Sequence, residues 1–309
     1  MLLVDDQRGV LDRVSAMLVP EFDVVGCETD GRQALQTAAR VRPDVIVLDI
    51  DLPGLNGFET MRALGHAGGH AAVVFLSTFG QDDYVAEAFR RGASGYVRKS
   101  HVASDLHAAL DLALRGRRFV PSLTAWLEVA GAGGHALHLH RSESSFVGDL
   151  VALLDRSLGR GDATCIIGPR RFRDAVRAGL GTRGRDLDGS HGRFRAHDSA
   201  AALESVMREG FPDPSRLAEL VSELDRYRRE AASGSNAMLT IGGTLSGVLA
   251  EGGNVEGAVV LERLWNELTV GLPFVTVCGY LASCFPAHDP DAWSGVSGEH
   301  STVGHATEP

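Results

Sequence analysis

Short apolar runs alternate with stretches of helical periodicity over the first 116 residues. The run LLVDD predicts a short strand, after which Val10, Leu11, Val14, Met17 and Leu18 recur at helical spacing until Pro20 stops the helix. FDVVGC, DVIVLD, AVVFLS and SGYVRK predict four further strands, with helices near 31–41, 57–66, 82–91 and 102–116. Such alternation marks strand–helix units laid against a parallel sheet, an α/β domain. Residues 117–134 break the pattern with a proline, an apolar stretch and a run of small residues, which predicts a linker. From 135 to 285 the alternation resumes, with strands at HALHLH, ATCIIG, GRFRAH, AMLTIG and FVTVCG. Helices are expected near 144–158, 169–180, 199–209, 214–232, 244–251 and 255–269. In the last of these Asn254 can cap, and Val255, Ala258, Val259, Leu261, Leu264, Trp265 and Leu268 share a face. The tail 286–309 is rich in Gly, Ser, His, Asp and Pro and has no period, so it is expected to be disordered.

Composition narrows the function classes. The 309 residues are 44% hydrophobic and 23% charged, a globular balance with room for two domains. No apolar run approaches the roughly 18 residues of a membrane span, and the start MLLVDDQRG lacks the flank of a signal peptide. A cytoplasmic protein with no membrane partner is expected. Cys27, Cys165, Cys278 and Cys284 form no CxxC pair and read as reduced core residues. The net charge of −10 gives neither half the basic footprint of a nucleic-acid binder.

In an open parallel sheet, ligands bind beyond the carboxyl ends of the strands. In the first domain those ends carry Asp5 and Asp6, Asp49, Ser77 and Thr78, and Lys99. Clustered carboxylates repel one another unless a hard divalent cation sits among them, and Mg2+ fits best. A carboxylate beside such a cation can accept a phosphoryl group, with hydrogen-bond donors and a point charge holding the phosphoryl oxygens. Of the 30 cationic side chains only Lys99 is a lysine, and it falls at the strand end where a compact ammonium has this use.

The motifs LLVDDQ, DVIVLDIDLPGLNGFE, VVFLST and GASGYVRKS, in this order, resemble the receiver domain of two-component response regulators over residues 1 to about 116. The resemblance implies a flavodoxin-like (CheY-like) fold with Asp49 as phosphoacceptor. It implies that Asp5, Asp6, Asp49 and the Asp51 main-chain carbonyl hold Mg2+, that Ser77 and Tyr96 form the switch, and that Lys99 binds phosphate. It further implies a sensor histidine kinase as partner, a homodimer through the receiver domain, and no enzymatic activity beyond self-catalysed phosphotransfer and dephosphorylation. Only MLLV precedes Asp5, fewer residues than receiver domains normally have there. Either the true start lies upstream or the first strand is short.

Residues 135–285 resemble the MEDS sensory domain of methanogen and methylotroph regulators, carried by LERLWNEL, CGYLASCF and FPDPSRLAELV. That resemblance implies a second parallel α/β domain of RecA- or KaiC-like type that binds a small molecule or a protein. The turn CIIGPRRFRDAV is no phosphate loop, and with Lys99 the sole lysine none can exist in this domain. Candidate ligand contacts are Arg170 and Arg171 at a helix start, His197 and Thr244, with His135, His138, His140, Asp198 and Tyr280 at other strand ends. Alternation along a strand puts His138 and His140 on one face and His135 on the other, against a metal site built from all three. Relatives carry a Gly-Glu-Met turn where this chain has Gly242, Gly243 and Thr244, so a site acid is missing. The expected function is a response regulator without a helix-turn-helix. The rival is a DNA-binding transcriptional regulator, for which RFRDAVRAGLGTRGR and ELDRYRREAA are the basic helices to consider.

Overall fold

A computed structural model of the chain describes residues 1–19, 21–66, 70–187, 192–234, 236–285 and 295–305. It divides into two compact units, Met1–Pro121 and Ser122–Pro309.

The first unit runs β1 (Leu2–Val4), α1 (Arg8–Leu18), β2 (Gly26–Glu28), α2 (Gly31–Val41), β3 (Val45–Leu48), α3 (Gly57–His66), β4 (Ala72–Ser77), α4 (Asp82–Arg90), β5 (Gly95–Arg98), α5 (Val102–Leu114) and β6 (Arg118–Val120). The parallel order is β2-β1-β3-β4-β5, with β6 beside β5 through the Gly95–Phe119 pair. Every residue of β3 is buried, as expected of a strand with helices on both faces. Asn56 and Glu59 cap α3 reciprocally: the Glu59 amide donates to Asn56 Oδ1 at 2.9 Å and the Asn56 amide to Glu59 Oε2 at 3.0 Å. Gly57 is required here, since a Cβ on it would lie 2.3 Å from the Asp49 carbonyl oxygen. The start of α3 thus packs directly on the loop that carries the candidate phosphoacceptor.

The second unit continues with α6 (Leu123–Val129), β7 (Gly134–His140), α7 (Glu143–Gly159), β8 (Ala163–Gly168), α8 (Arg170–Thr182), β9 (Phe194–Asp198), α9 (Ser199–Val206), β10 (Met207–Arg208), β11 (Phe211–Pro212), α10 (Pro214–Ala231), β12 (Leu239–Gly243), α11 (Leu245–Glu251), α12 (Val255–Thr269), β13 (Phe274–Leu281) and β14 (Thr302–His305). Its parallel order is β14-β7-β13-β12-β8-β9. Side chains at Ser142, Asp198, Asp213 and Asn254 cap the following helices. One core gathers Cys165, Ile167, Leu217, Leu224, Ile241, Leu261 and Trp265 between strands and helices. Burying each such side chain contributes roughly 1.5–3 kcal/mol.

Four expectations need correction. The segment 117–134 holds β6 and α6, because Phe119 pairs with the sheet edge and the Ser122 hydroxyl caps a helix whose Leu123, Trp126 and Leu127 are buried. The helix foreseen over 199–209 ends at Val206, where Glu209 (φ 52°) and Gly210 (φ 87°) turn the chain into the β10–β11 hairpin. The tail is not featureless: residues 295–298 form a helical turn and β14 pairs with β7, while 286–294 and 306–309, like Pro20, lie outside the described residues. Cys27 is exposed and Cys278 and Cys284 are half-buried, so only Cys165 is the buried thiol foreseen for all four. Among the described residues no helix is long and apolar enough to cross a membrane.

Candidate functional site

The carboxyl ends of β1, β3 and β5 bring Asp5, Asp49 and Lys99 together. Lys99 Nζ lies 2.6 Å from Asp5 Oδ2 and 2.7 Å from Asp49 Oδ2, with both aspartates only 3% exposed. The other carboxylate oxygens are held by main-chain amides, Asp5 Oδ1 by Gln7 at 3.0 Å and Asp49 Oδ1 by Ile50 at 2.7 Å. Asp6 is exposed, and the ligand oxygens of Asp5, Asp6 and Asp49 lie within 4.8 Å of one another. Asp51 is exposed two residues beyond Asp49, its amide donating to Asp49 Oδ1 at 3.4 Å. Burial pushes the Asp5 carboxyl above its ordinary range, against the pull of Lys99 and the Gln7 amide. Burial also works to lower Lys99, but its bonds to Asp49 and Asp5 outweigh this and raise it. One ammonium thus serves two buried carboxylates, and the third carboxylate faces solvent.

Ser77, at the end of β4, is fully buried and its hydroxyl accepts from the Phe79 amide at 3.2 Å. The Tyr96 ring is buried beside Phe75, and its hydroxyl donates to the Phe79 carbonyl at 2.5 Å. Burial pushes the phenol up to about 12. Both switch candidates therefore converge on the main chain of Phe79.

In the second unit the foreseen residues separate into groups. Arg170 and Arg171 extend into solvent, their side chains 87% and 83% exposed and paired with Asp174 and Glu143. Both residues foreseen as an anion site therefore face solvent and are already paired with acids. The guanidinium that turns inward is Arg173, on Asp198 Oδ2 at 2.6 Å and the Gly168 carbonyl at 3.0 Å. His138 and His140 share a face, as alternation predicts, with Phe146 against both rings. At the carboxyl ends of β7, β9 and β12, buried polar atoms lack hydrogen-bond partners. They are His138 Nδ1, both ring nitrogens of His140, which has only a loose contact to the Ser142 main chain, His197 Nε2 and Thr244 Oγ1. Burial, then the neighbouring His138 ring, lowers His140 to about 4.

This shift fixes a sign. A histidine depressed from about 6.5 to about 4 stays neutral in the fold while the unfolded chain takes a proton, so stability falls as pH drops through that window. His140→Phe is expected to blunt the acid loss of stability between pH 6.5 and 4 by about 2–3 kcal/mol. Thermal melts of variant and wild type across that range check it, and parallel curves would contradict it.

On the opposite face of β7, His135 meets Cys278 together with Glu262 and His300, the two that sequence reasoning missed. His135 Nε2 is 3.2 Å from Glu262 Oε2 and 3.2 Å from Cys278 Sγ. His300 Nε2 is 3.5 Å from the same Glu262 oxygen, and Tyr280 donates to Glu262 Oε1 at 2.7 Å. Burial pushes Glu262 up, but the His300 and His135 rings and the Tyr280 hydroxyl outweigh it, leaving the carboxyl below its usual range. Glu262 adjoins a cavity of about 40 Å3 also bordered by Ser246, Trp265, Thr276 and Cys278. An acid at 262, between Leu261 and Trp265 in a helix's buried stripe, was the available signal.

Comparison with known proteins agrees with this division. The family model of the response regulator receiver domain matches residues 1–111, and that of MEDS, the MEthanogen/methylotroph, DcmR Sensory domain, matches 134–292. The nitrate/nitrite response regulator protein NarL of Escherichia coli (strain K12) is 35% identical over 120 residues, 38% of this chain and 55% of that protein. The transcriptional regulatory protein DesR of Bacillus subtilis (strain 168) is 30% identical over 126 residues, 40% of this chain and 62% of that protein. The chain thus spans little more than half the length of these curated relatives. Among solved structures, a two-component response regulator of the LuxR family from Aurantimonas sp. SI85-9A1 is 31% identical, covering 38% of this chain and 85% of that one with a TM-score of 0.37. The response regulator domain of Thermotoga maritima CheB is 29% identical, covering 37% and 94%, with a TM-score of 0.35.

Proposed function

The chain belongs to the MEDS sensory-domain family and carries a response regulator receiver domain ahead of it, and on that premise we propose a two-component regulator in which Asp49 accepts a phosphoryl group from a sensor histidine kinase. The observation that carries the reading is the Lys99 ammonium bridging Asp5 and Asp49 at 2.6 and 2.7 Å. In the transfer an Asp49 carboxylate oxygen forms the O–P bond while the N–P bond of the donor phosphohistidine breaks, and the imidazole leaves with a proton. Lys99 then has a phosphoryl oxygen to hold in place of its carboxylate.

The donor set supports Mg2+. Asp5, Asp6 and Asp49 offer only hard oxygens, and one ammonium among three carboxylates leaves two negative charges to balance. Those side chains and the Asp51 carbonyl would hold the ion, which when bound neutralises charge on phosphoryl oxygens. The Ser77 hydroxyl turns from the Phe79 amide toward the new phosphoryl group, and Tyr96 responds at Phe79, which alters the face formed by α4, β5 and α5. That face is the surface offered to a second copy of the chain.

The second unit acts as a binding module of RecA- or KaiC-like layout without a helix-turn-helix. A small molecule at its carboxyl edge would satisfy His138, His140, His197 and Thr244, whose orphaned atoms each cost about 1–3 kcal/mol when left unpaired. The transcriptional regulatory protein DesR matches 40% of this chain. The two basic stretches considered for DNA belong to α8, which buries Phe172, Val176 and Leu180, and α10, whose Arg228 and Arg229 pair with Asp225.

Incubation of the full chain with a small phosphodonor tests the reading. Phosphate uptake that requires Mg2+ and stops with chelator is expected, alongside no salt-sensitive retardation of duplex DNA. Absence of uptake would sink the phosphoacceptor reading, and salt-sensitive retardation would revive the rival.

A further inference from the structure

We propose that His135, Glu262, Cys278 and His300 form a closed binding site for a divalent transition-metal ion, with zinc the best fit. The four ligand atoms, two imidazole Nε2, one carboxylate oxygen and one thiol sulfur, lie within 4.8 Å of one another and are buried or half-buried. Zinc bonds of about 2.0–2.3 Å in a tetrahedron place neighbouring ligand atoms about 3.3–3.7 Å apart. The separations here are 3.2 Å for His135–Glu262 and His135–Cys278, and 3.5 Å for Cys278–Glu262 and His300–Glu262. A small contraction or expansion of the cluster admits the ion.

The surrounding residues aim the ligands inward. His300 Nδ1 lies 2.8 Å from the Val296 carbonyl, which can only accept, so in the neutral ring Nδ1 carries the hydrogen and Nε2 presents its lone pair to the cluster. His135 Nδ1 lies 2.8 Å from Asn266 Oδ1, and Asn266 Nδ2 donates to the Glu299 carbonyl at 2.6 Å, which fixes the amide orientation. His135 is therefore set in the same tautomer, its Nε2 also turned inward. Tyr280 occupies the carboxylate oxygen not facing the other ligands. Orienting partners of this kind characterise metal ligands.

Charge favours the same occupant. A thiolate, a carboxylate and two neutral imidazoles carry two negative charges, which a divalent cation cancels in a region where Glu262 is 1% exposed. With four protein ligands the site is closed and structural in kind. Its ligands come from β7, α12, β13 and the residue two before β14, so a bound ion fastens the last strand's approach to the sheet.

The test uses the full chain, stripped with chelator and titrated with Co2+ or Zn2+. One equivalent of Co2+ should give visible bands of tetrahedral intensity and a thiolate-to-cobalt charge-transfer band. Cys278→Ser should abolish that band and His300→Gln should weaken binding at least tenfold. Asn266→Leu, which leaves every ligand in place, should weaken it about 10–100-fold. X-ray absorption of the zinc-loaded wild type, which needs no variant, should show one sulfur and three nitrogen or oxygen neighbours. No bound ion, an all-oxygen shell characteristic of the acidic nest in the first unit, or a charge-transfer band that survives Cys278→Ser would each overturn the proposal.

Discussion

Asp49→Asn takes up no phosphate from a small phosphodonor in the presence of Mg2+, and its loss is to background. An amide oxygen is no nucleophile toward phosphorus, and among the described residues no other carboxylate has the same surroundings. Asp5 faces Lys99 too, but its Oδ1 is committed to the Gln7 amide and its carboxyl is held above the usual range by burial. Asp6 and Asp51 are exposed and lack the ammonium contact that Asp5 and Asp49 share. Labelled phosphate retained by the variant at the wild-type level would contradict the assignment of Asp49.

Lys99→Met has the largest expected effect on stability. The variant leaves two carboxylates, each 3% exposed, facing each other without their cation. Breaking a buried ion pair from one side costs roughly 3–5 kcal/mol, and the partial exposure of Lys99, 15% at the side chain, argues for the lower end. The loss is greatest at neutral pH and in chelator. The sign follows from Asp5: a carboxyl whose folded pKa is raised favours the fold below its ordinary range and loses that contribution as pH rises. Acidification toward pH 4 lets Asp5 take a proton, and added Mg2+ supplies the missing charge, so both should recover part of the stability. Denaturant titrations of the first unit at pH 7 and pH 4.5, with and without Mg2+, measure this. A variant as stable as wild type in chelator at pH 7 would show that the bridge contributes nothing.

The receiver half was largely legible in the sequence because its chemistry sits at strand ends, and strand ends are what apolar runs mark. VIVL is bounded by acids on both sides, so the position of Asp49 beyond β3 follows from hydrophobic pattern alone. Gly57 was not legible in this way: its necessity arises from contact between the start of α3 and the Asp49 loop, and periodicity carries no such distance. The second half shows the opposite balance. Its strands and helices were readable, yet the Glu262 cluster was not. Glu262 was passed over within an apolar helix, and His300 lay in a tail whose composition resembles a disordered segment. The four residues of β14 are too few for a period to show. Arg170 and Arg171 show a related gap, since a basic pair at a helix start does not reveal the acids, Asp174 and Glu143, that its side chains meet.

The central claim is that this particular carboxylate, held by the chain's one lysine, carries the acyl phosphate. It is tested most directly by phosphorylating the full chain with a small donor and Mg2+, reducing the acyl phosphate with borohydride, and locating the reduced residue by peptide mass spectrometry. The account predicts a single reduced site at position 49. Reduction at any other carboxylate, or none after demonstrable phosphate uptake, would contradict it.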